Sequence, residues 1–389
     1  MFSRRLPSDV STNRLTERLR SLRARNIKLL DLTQSNPSLV GLDYPLGSSE
    51  EFEAILRRPY SPHPFGLSTA RHAVARDFTR RNILSDPHRI ILTSSTSESY
   101  SFLFKLICNP GESVLIPRPG YPLLEHLTKL DAVKGIPYPL YYHGEWSIDL
   151  ESLAKSVTKD TRAVVIVSPN NPTGSFVKLH ELEVITSLCR RYNLVLIGDE
   201  IFADYPFPCD GKRGPSVLEQ KEVLAFSLGG LSKSVGLPGA KLSWMAVGGP
   251  EMAVEEALVR LELICDTYLS VSNAIQYAVP GLLTLGDATR QKIASRVAEN
   301  HTTLSVKMRT CPACQVLETE GGWMAIIQVP STETEEILAI ELLEFDHVLV
   351  YPGYFFDFTR ECFVVVSLLT NPEDFTEGIT RLLKRVMSV

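Results

Sequence analysis

The chain has 389 residues, 44% of them hydrophobic, and carries a net charge of −5. That length is too great for one ordinary core and predicts two domains. The mild acidity and the lack of any long basic run give no reason to expect nucleic acid. No apolar run approaches the roughly 20 residues that a membrane span needs. Seven cysteines, an odd number scattered along a long chain, point to a reducing compartment rather than a disulfide framework, and so to the cytoplasm.

The N-terminal stretch is rich in arginine, but it holds Asp9 and Glu17 and lacks the apolar core of a secretory signal. Leu15, Leu19 and Leu22 share one helical face, which predicts an amphipathic helix packed on the body. Residues 29–37 read as a short strand running into a turn that holds Ser35. A Pro-rich, irregular stretch at 60–66 precedes a helix over 68–81, with Ser68 as its N-cap. Residues 89–92 read as a strand, and Thr93-Ser-Ser-Thr-Ser-Glu98 after it opens an apolar helix reaching Ile107. Small hydroxyl residues there either cap the helix or hold an anion, because free N–H groups and the helix dipole favour phosphate. Ser95, Thr96 and Ser97 are the candidates.

The next buried strand, 113–117, leads to Tyr121, an aromatic that can stack on a flat ring or pack in the core. A helix over 123–130 and a strand over 133–140 follow. Trp146-Ser-Ile-Asp149 reads as the start of a helix that runs through Val157. Leu179, Leu182, Ile185 and Leu188 lie at helical spacing, as expected of a crossover between parallel strands. Strand and helix alternate from 89 to 227, predicting a mostly parallel sheet covered on both faces. A strand at 243–247 is followed by a long helical region from Pro250 to about 285, broken near Ser270-Val-Ser272. A separate polar helix is expected over 287–308. Beyond it, strands near 321–329, 348–356 and 362–368 and helices over 335–343 and 372–386 make a smaller α+β domain. The expected division is a large domain over 45–285 and a discontinuous small domain over 1–44 and 286–389.

Three stretches point to chemistry, each after its own apolar strand. Ser168-Pro-Asn-Asn171-Pro-Thr-Gly174 follows 163–167, Gly198-Asp199-Glu200 follows 194–197, and Leu231-Ser-Lys233 follows 223–227. Alone, Lys233 reads as a surface lysine in a turn, Asp199 as the start of a turn and Asn171 as an Asn-Pro turn. Together and in this order they resemble the aminotransferase class I/II family of pyridoxal-phosphate (PLP) enzymes, over nearly the whole chain. The resemblance implies the three-layer fold type I architecture, a large domain with a mostly parallel sheet plus a smaller α+β domain. It also implies PLP as cofactor.

In that family pattern Lys233 holds the cofactor as a Schiff base and then moves the substrate proton. Asp199 pairs with the pyridine nitrogen, Asn171 donates to the phenolate oxygen, and Tyr121 stacks on the ring. Ser95, Thr96 and Ser97 gather near the phosphate, and Ser232 also belongs to the cofactor site. The family loop that matches Tyr60 reaches the cofactor phosphate of the other subunit, implying a homodimer with shared sites. The turn at Ser35 crosses the substrate site, where Asn171 also lies.

Four positions depart from the pattern. Lys241 stands where an arginine clamps the phosphate, Gly230 where a phosphate-binding serine is common, and Phe202 where a tyrosine touches the phenolate. Val365 stands where an arginine binds the substrate α-carboxylate; Arg360, in the preceding loop, is a displaced candidate for that role. The reaction implied is transfer of an amino group between an amino acid or amine and a keto acid. The missing arginine keeps open another PLP chemistry, such as a lyase, decarboxylase or cyclising reaction, and, further off, a non-catalytic PLP-binding protein. Cys311 and Cys314 read as structural, since no second pair completes a zinc site. No metal is expected, and no dinucleotide fingerprint is present.

Overall fold

The computed structural model describes residues 2–7, 10–42, 44, 49–208, 211–360 and 362–388. In chain order the first part forms α1 (Arg14–Ala24), β1 (Leu30–Asp31), α2 (Ser49–Leu56), α3 (Ser68–Thr79), β2 (Ile90–Thr93), α4 (Thr96–Ile107), β3 (Ser113–Arg118), α5 (Leu123–Leu130), β4 (Lys134–Tyr142), β5 (Trp146–Ile148) and α6 (Leu150–Lys155). Next come β6 (Thr161–Val167), α7 (Leu179–Tyr192), β7 (Val195–Asp199), β8 (Ala225–Gly230), α8 (Leu231–Ser234), β9 (Ser243–Gly248) and α9 (Glu251–Tyr268). The remainder is α10 (Asn273–Met308), β10 (Gln315–Val316), β11 (Met324–Gln328), α11 (Glu335–Phe345), β12 (Val348–Leu349), β13 (Tyr351–Pro352), β14 (Phe363–Ser367) and α12 (Pro372–Ser388).

Eight strands form one sheet in the order β2-β9-β8-β7-β6-β3-β4-β5. The run from β8 to β4 is parallel, while β9 is antiparallel to both its neighbours and β5 to β4. Side chains alternate between the faces with period two. Val164 and Ile166 of β6 pack with Leu182 and Ile185 of α7, whereas Ala163 and Val165 pack on the other face with Leu103 of α4 and Leu261 of α9. Both faces of the sheet are therefore dry, as a parallel sheet requires.

A second, antiparallel sheet has the order β10-β11-β14-β13, and β1 pairs in parallel with β12. Around it a separate core gathers Leu15 and Leu22 of α1 with Leu338 and Leu342 of α11 and Phe375 and Leu382 of α12. Arg14 and Arg18 of α1 pair with Glu336 and Glu344 along α11. The architecture is thus α/β, a large and mostly parallel sheet between helical layers with a smaller α+β unit.

Local expectations fail in three places. Ser68 is the first residue of α3, and Leu67 holds the N-cap position without a side-chain cap. Trp146–Ile148 is a strand, not a helix start, because Trp146 and Ile148 pair with Tyr142 and Leu140 across a tight turn. Gly144 serves that turn at φ 89. The helix begins only after Asp149, whose carboxylate caps it by accepting from Ser152 N–H at 2.9 Å. Further on, α10 is one continuous helix of 36 residues with Pro280 inside it, so the expected boundary near 285 falls within an element.

The topology sets the site. The parallel strands β3, β6, β7 and β8 end at one edge of the sheet, and β2, two antiparallel steps from β8, ends there as well. Crevices beyond such carboxyl ends are where open α/β sheets collect ligands.

Candidate active site

Past the end of β8 the chain turns into α8, and Lys233 projects into a cavity of about 410 Å³. Its Nζ stands 4.8 Å from the centroid of the Trp323 ring and 5.5 Å from that of Phe202. Among the described residues it has no carboxylate partner, and burial pushes its pKa down to about 8. The turn beneath it is firmly tied. Tyr205 Oη donates to the carbonyls of Lys233 at 2.7 Å and Ser234 at 2.9 Å. Ser234 Oγ donates to Asp204 and accepts from Arg290 Nε at 3.2 Å. Arg290, almost wholly buried on α10, reaches Asp77 of α3 at 2.7 Å. A buried charge is tolerated only when paired and hydrogen-bonded in this way, so the lysine turn is fixed to two flanking helices.

Asp199 closes β7. Its Oδ2 accepts from Tyr100 Oη at 3.0 Å and its Oδ1 from Ile201 N–H at 3.2 Å. Burial pushes its pKa up to about 6, opposed by those two hydrogen bonds. Asn171, after β6, lines the same cavity, and its amide oxygen is buried with no hydrogen-bond partner. At the first turn of α4, Thr96 and Ser97 line the cavity too. Ser95 does not: its Oγ caps the helix by accepting from Glu98 N–H at 3.1 Å.

Tyr121, Phe202 and Ser35 also line the cavity, so the structure gathers Lys233, Asp199, Asn171, Thr96 and Ser97 with them in one place. It does not bring in the other candidates. Ser232 is half-buried beside Lys233 and does not line the cavity. Lys241 is exposed at the end of a 3₁₀ turn. Tyr60 is 71% exposed, on a separate cleft with His63 and Asn273. Arg360 lies exposed in the turn before β14. Val365 is fully buried in β14, in the core that also holds Met324 and Phe356.

Sequence reasoning missed Tyr100, Trp323 and the wall of Leu123, Leu127, Met324, Tyr351 and Phe355. Tyr100 was findable, because it lies four residues after Thr96 and hence on the same helical face. Nothing local marks Trp323 or Phe355. Asp199 and Lys233 are the only charged side chains among the described residues lining this cavity. No cluster of three metal-ligating side chains occurs among the described residues, and no helix among them is long and apolar enough to cross a membrane.

A half-buried lysine without a counter-ion, a carboxylate at the next strand end and an unpaired amide oxygen make a site suited to carbonyl chemistry on a strand-end edge, and this fold is shared with solved aminotransferases. An alanine aminotransferase from Pyrococcus furiosus superimposes with a TM-score of 0.89 at 22% identity, covering 100% of both chains. An aspartate aminotransferase double mutant from Thermus thermophilus gives 0.82 at 21%, covering 99% of each. In sequence, glutamate-pyruvate aminotransferase AlaA of Haemophilus influenzae is 24% identical over 92% of this chain and 90% of its own. Alanine aminotransferase of Mycobacterium tuberculosis is 25% identical over 93% and 86%. Residues 53–382 match the family described as aminotransferase class I and II. The chain belongs to that family, and it is a transaminase.

Proposed function

We propose that this transaminase uses PLP held by Lys233, and that it recognises its amino donor by a bulky apolar group rather than by a carboxylate clamp. The residues present fit the cofactor. The Asn171 amide oxygen is orphaned in the cavity wall, and leaving a buried polar group unpaired costs about 1–3 kcal/mol that a polar ligand removes. Asp199 and Lys233 likewise face the cavity at displaced pKa values. Asp199 would pair with the pyridine nitrogen, Tyr121 with the ring face, and Thr96 and Ser97 with the phosphate, while Asn171 would donate to the ring oxygen with its amide turned so that the NH2 takes the place of the orphaned oxygen. When bound, PLP supplies an electron sink for the carbon that loses its proton.

The chain's own part follows from these positions. With its pKa near 8, Lys233 holds a useful fraction of neutral amine close to neutral pH, able to attack a carbonyl and later to carry a proton at Nζ. Tyr100 and Ile201 fix the Asp199 carboxylate and favour its charged form, keeping it ready for a cationic ring nitrogen. The rings of Phe202 and Trp323, 5.5 and 4.8 Å from the amine, give it an apolar flank.

The single observation that carries the substrate reading is the apolar side of the cavity. Val365 stands where the family carries its carboxylate-binding arginine, and Met324, Tyr351 and Phe355 face the space instead. A carboxylate buried against such a wall is costly without a partner. The relatives named for alanine, glutamate and pyruvate suggest those substrates; this wall favours larger, apolar ones. The test is the half-reaction of the PLP-loaded protein, followed by absorbance, with phenethylamine, phenylalanine, alanine and glutamate. We expect the first two to react within tenfold of each other, and both at least tenfold faster than alanine and glutamate. Preference for alanine or glutamate overturns the apolar-recognition reading, and a lack of any PLP adduct on Lys233 overturns the cofactor reading.

A homodimer belongs to the same proposal. Tyr60 lies outside the cavity of its own chain, free to reach that of a second copy, and α9 exposes Met252, Val259 and Leu263. Light scattering on the purified protein tests it, a monomeric mass being the adverse result. The six described cysteines are all free, which supports a reducing, cytoplasmic setting.

A further inference from the structure

Ser243 opens β9 at the edge of the sheet where the site lies. Its Cα partners are Gly230 on one side and Thr93 on the other. It therefore stands between the strand leading to Lys233 and the strand leading to the N-terminus of α4. The pleat decides which face it takes. Met245 of β9, Leu228 of β8 and Ile91 of β2 all lie in the core under α4, and a period of two puts Ser243, Gly230 and Thr93 on that same face.

A Cβ placed on Gly230 would lie 2.3 Å from Ser243 Oγ. The Ser243 hydroxyl thus fills the space that a side chain at 230 would occupy. Ser243 is 1% exposed, and among the described residues its Oγ has no hydrogen-bond partner. Its neighbours are already engaged: Thr93 Oγ1 bonds Ser99 Oγ at 2.7 Å and the Ser95 carbonyl at 3.2 Å. A buried hydroxyl left alone beside a helix N-terminus is a donor waiting for an anion.

We propose that Ser243 binds the phosphate of PLP, in place of the serine that the family pattern carries at position 230. The hydroxyl has moved one strand sideways: position 230 has lost its side chain, and its cross-strand partner holds one in the same volume. Ser243 stands behind the residues that line the cavity, beside the strand that leads into Thr96 and Ser97, and with them it would seat a dianion, which offsets the exposure of Lys241. The proposal rests on PLP being the cofactor.

Binding of PLP and of pyridoxal, which lacks the phosphate, tests it by equilibrium dialysis on the wild type and on Ser243→Ala. The expected result is PLP bound at least fivefold more weakly by the variant, with pyridoxal unchanged. Equal weakening of both ligands, or no change in either, overturns the role. Gly230→Ser alone should clash with Ser243 and impair binding, while Gly230→Ser combined with Ser243→Gly should restore the affinity for PLP. Failure of that exchange to restore it also counts against the proposal. A wild-type protein that binds pyridoxal and PLP equally overturns the phosphate seat while leaving Lys233 as the carbonyl-binding group. One that binds neither overturns the cofactor reading, and this proposal with it.

Discussion

On the sheet side of the cavity, Asp199 closes a parallel strand and Lys233 and Asn171 stand just past the ends of two others, whereas on the facing side Met324, Tyr351 and Phe355 come from the smaller antiparallel unit. The first wall carries groups that are uncomfortable alone: a lysine and a carboxylate with displaced pKa values and an amide oxygen without a partner. The second is an outcrop of the core, since Met324, Phe356 and Val365 belong to the same apolar cluster as Leu182 and Ile185 under the large sheet. Strain toward a ligand is therefore concentrated on one wall, where function displaces stability. The facing wall gains stability from its apolar contacts and, on the reading proposed above, would select by shape. An arginine at 365 would have to enter a fully buried apolar position, so its absence belongs to the whole wall and not to one residue.

The contrast breaks most sharply at Lys233. Lys233→Ala should lower amino transfer by about 10⁴-fold, the upper range for losing a positioned base, and borohydride should no longer trap PLP on the protein. Asp199→Asn should cost about a hundredfold in rate, since the ring nitrogen loses its anionic partner. The same substitution should stabilise the cofactor-free protein. Moving a carboxyl from 3.8 to about 6 corresponds to about 2 kcal/mol after allowing for water in the cavity. The folded carboxyl holds its proton more tightly than the unfolded one, so the penalty is present above pH 6, fades as pH falls, and is gone below 3.8. Urea unfolding of wild type and variant at pH 7 and pH 4 measures it. A variant no more stable at pH 7 would show that Asp199 is not strained.

That asymmetry also governs what the sequence discloses. Asn171, Asp199 and Lys233 were legible because each follows an apolar strand within a few residues, and a parallel sheet sends such strand ends to one edge. The alternation of β6 and the leucines of α7 likewise state their partners locally. Trp323 and Phe355 were not legible, because Trp323 meets the Lys233 amine from 90 residues further along the chain and Phe355 reaches the same cavity from further still. Trp146 misled for the opposite reason: Asp149 does cap a helix, but the residues before it find a strand partner in β4 that no helical pattern reveals. The exchange between Gly230 and Ser243 is visible only once the register of β8 on β9 is known.

Tyr100 sharpens the comparison more gently, because it acts on the cofactor-side wall without touching the facing one. Tyr100→Phe keeps the ring in its core and removes only the hydroxyl that donates to Asp199. A hydrogen bond to a charged group contributes about 1.5–3 kcal/mol. Asp199 should then hold its proton to a still higher pH, and the acid limb of kcat/KM should shift upward with a loss of about tenfold near pH 7. A loss equal at every pH would mark Tyr100 as packing alone.

The smallest effect should come from Arg360→Ala, and it bears on the facing wall. Arg360 is the nearest arginine in sequence to the position where the family binds carboxylate, yet it lies exposed in a turn while Val365 fills the buried position. Substituting an exposed residue that contacts nothing in the cavity changes stability by about 0.5 kcal/mol or less, and the half-reaction with phenylalanine should stay within twofold. If phenylalanine slowed tenfold while phenethylamine did not, the turn would be swinging inward to bind the carboxylate. The apolar wall would then be only half of the recognition. If both donors react unchanged, the wall recognises the donor without it.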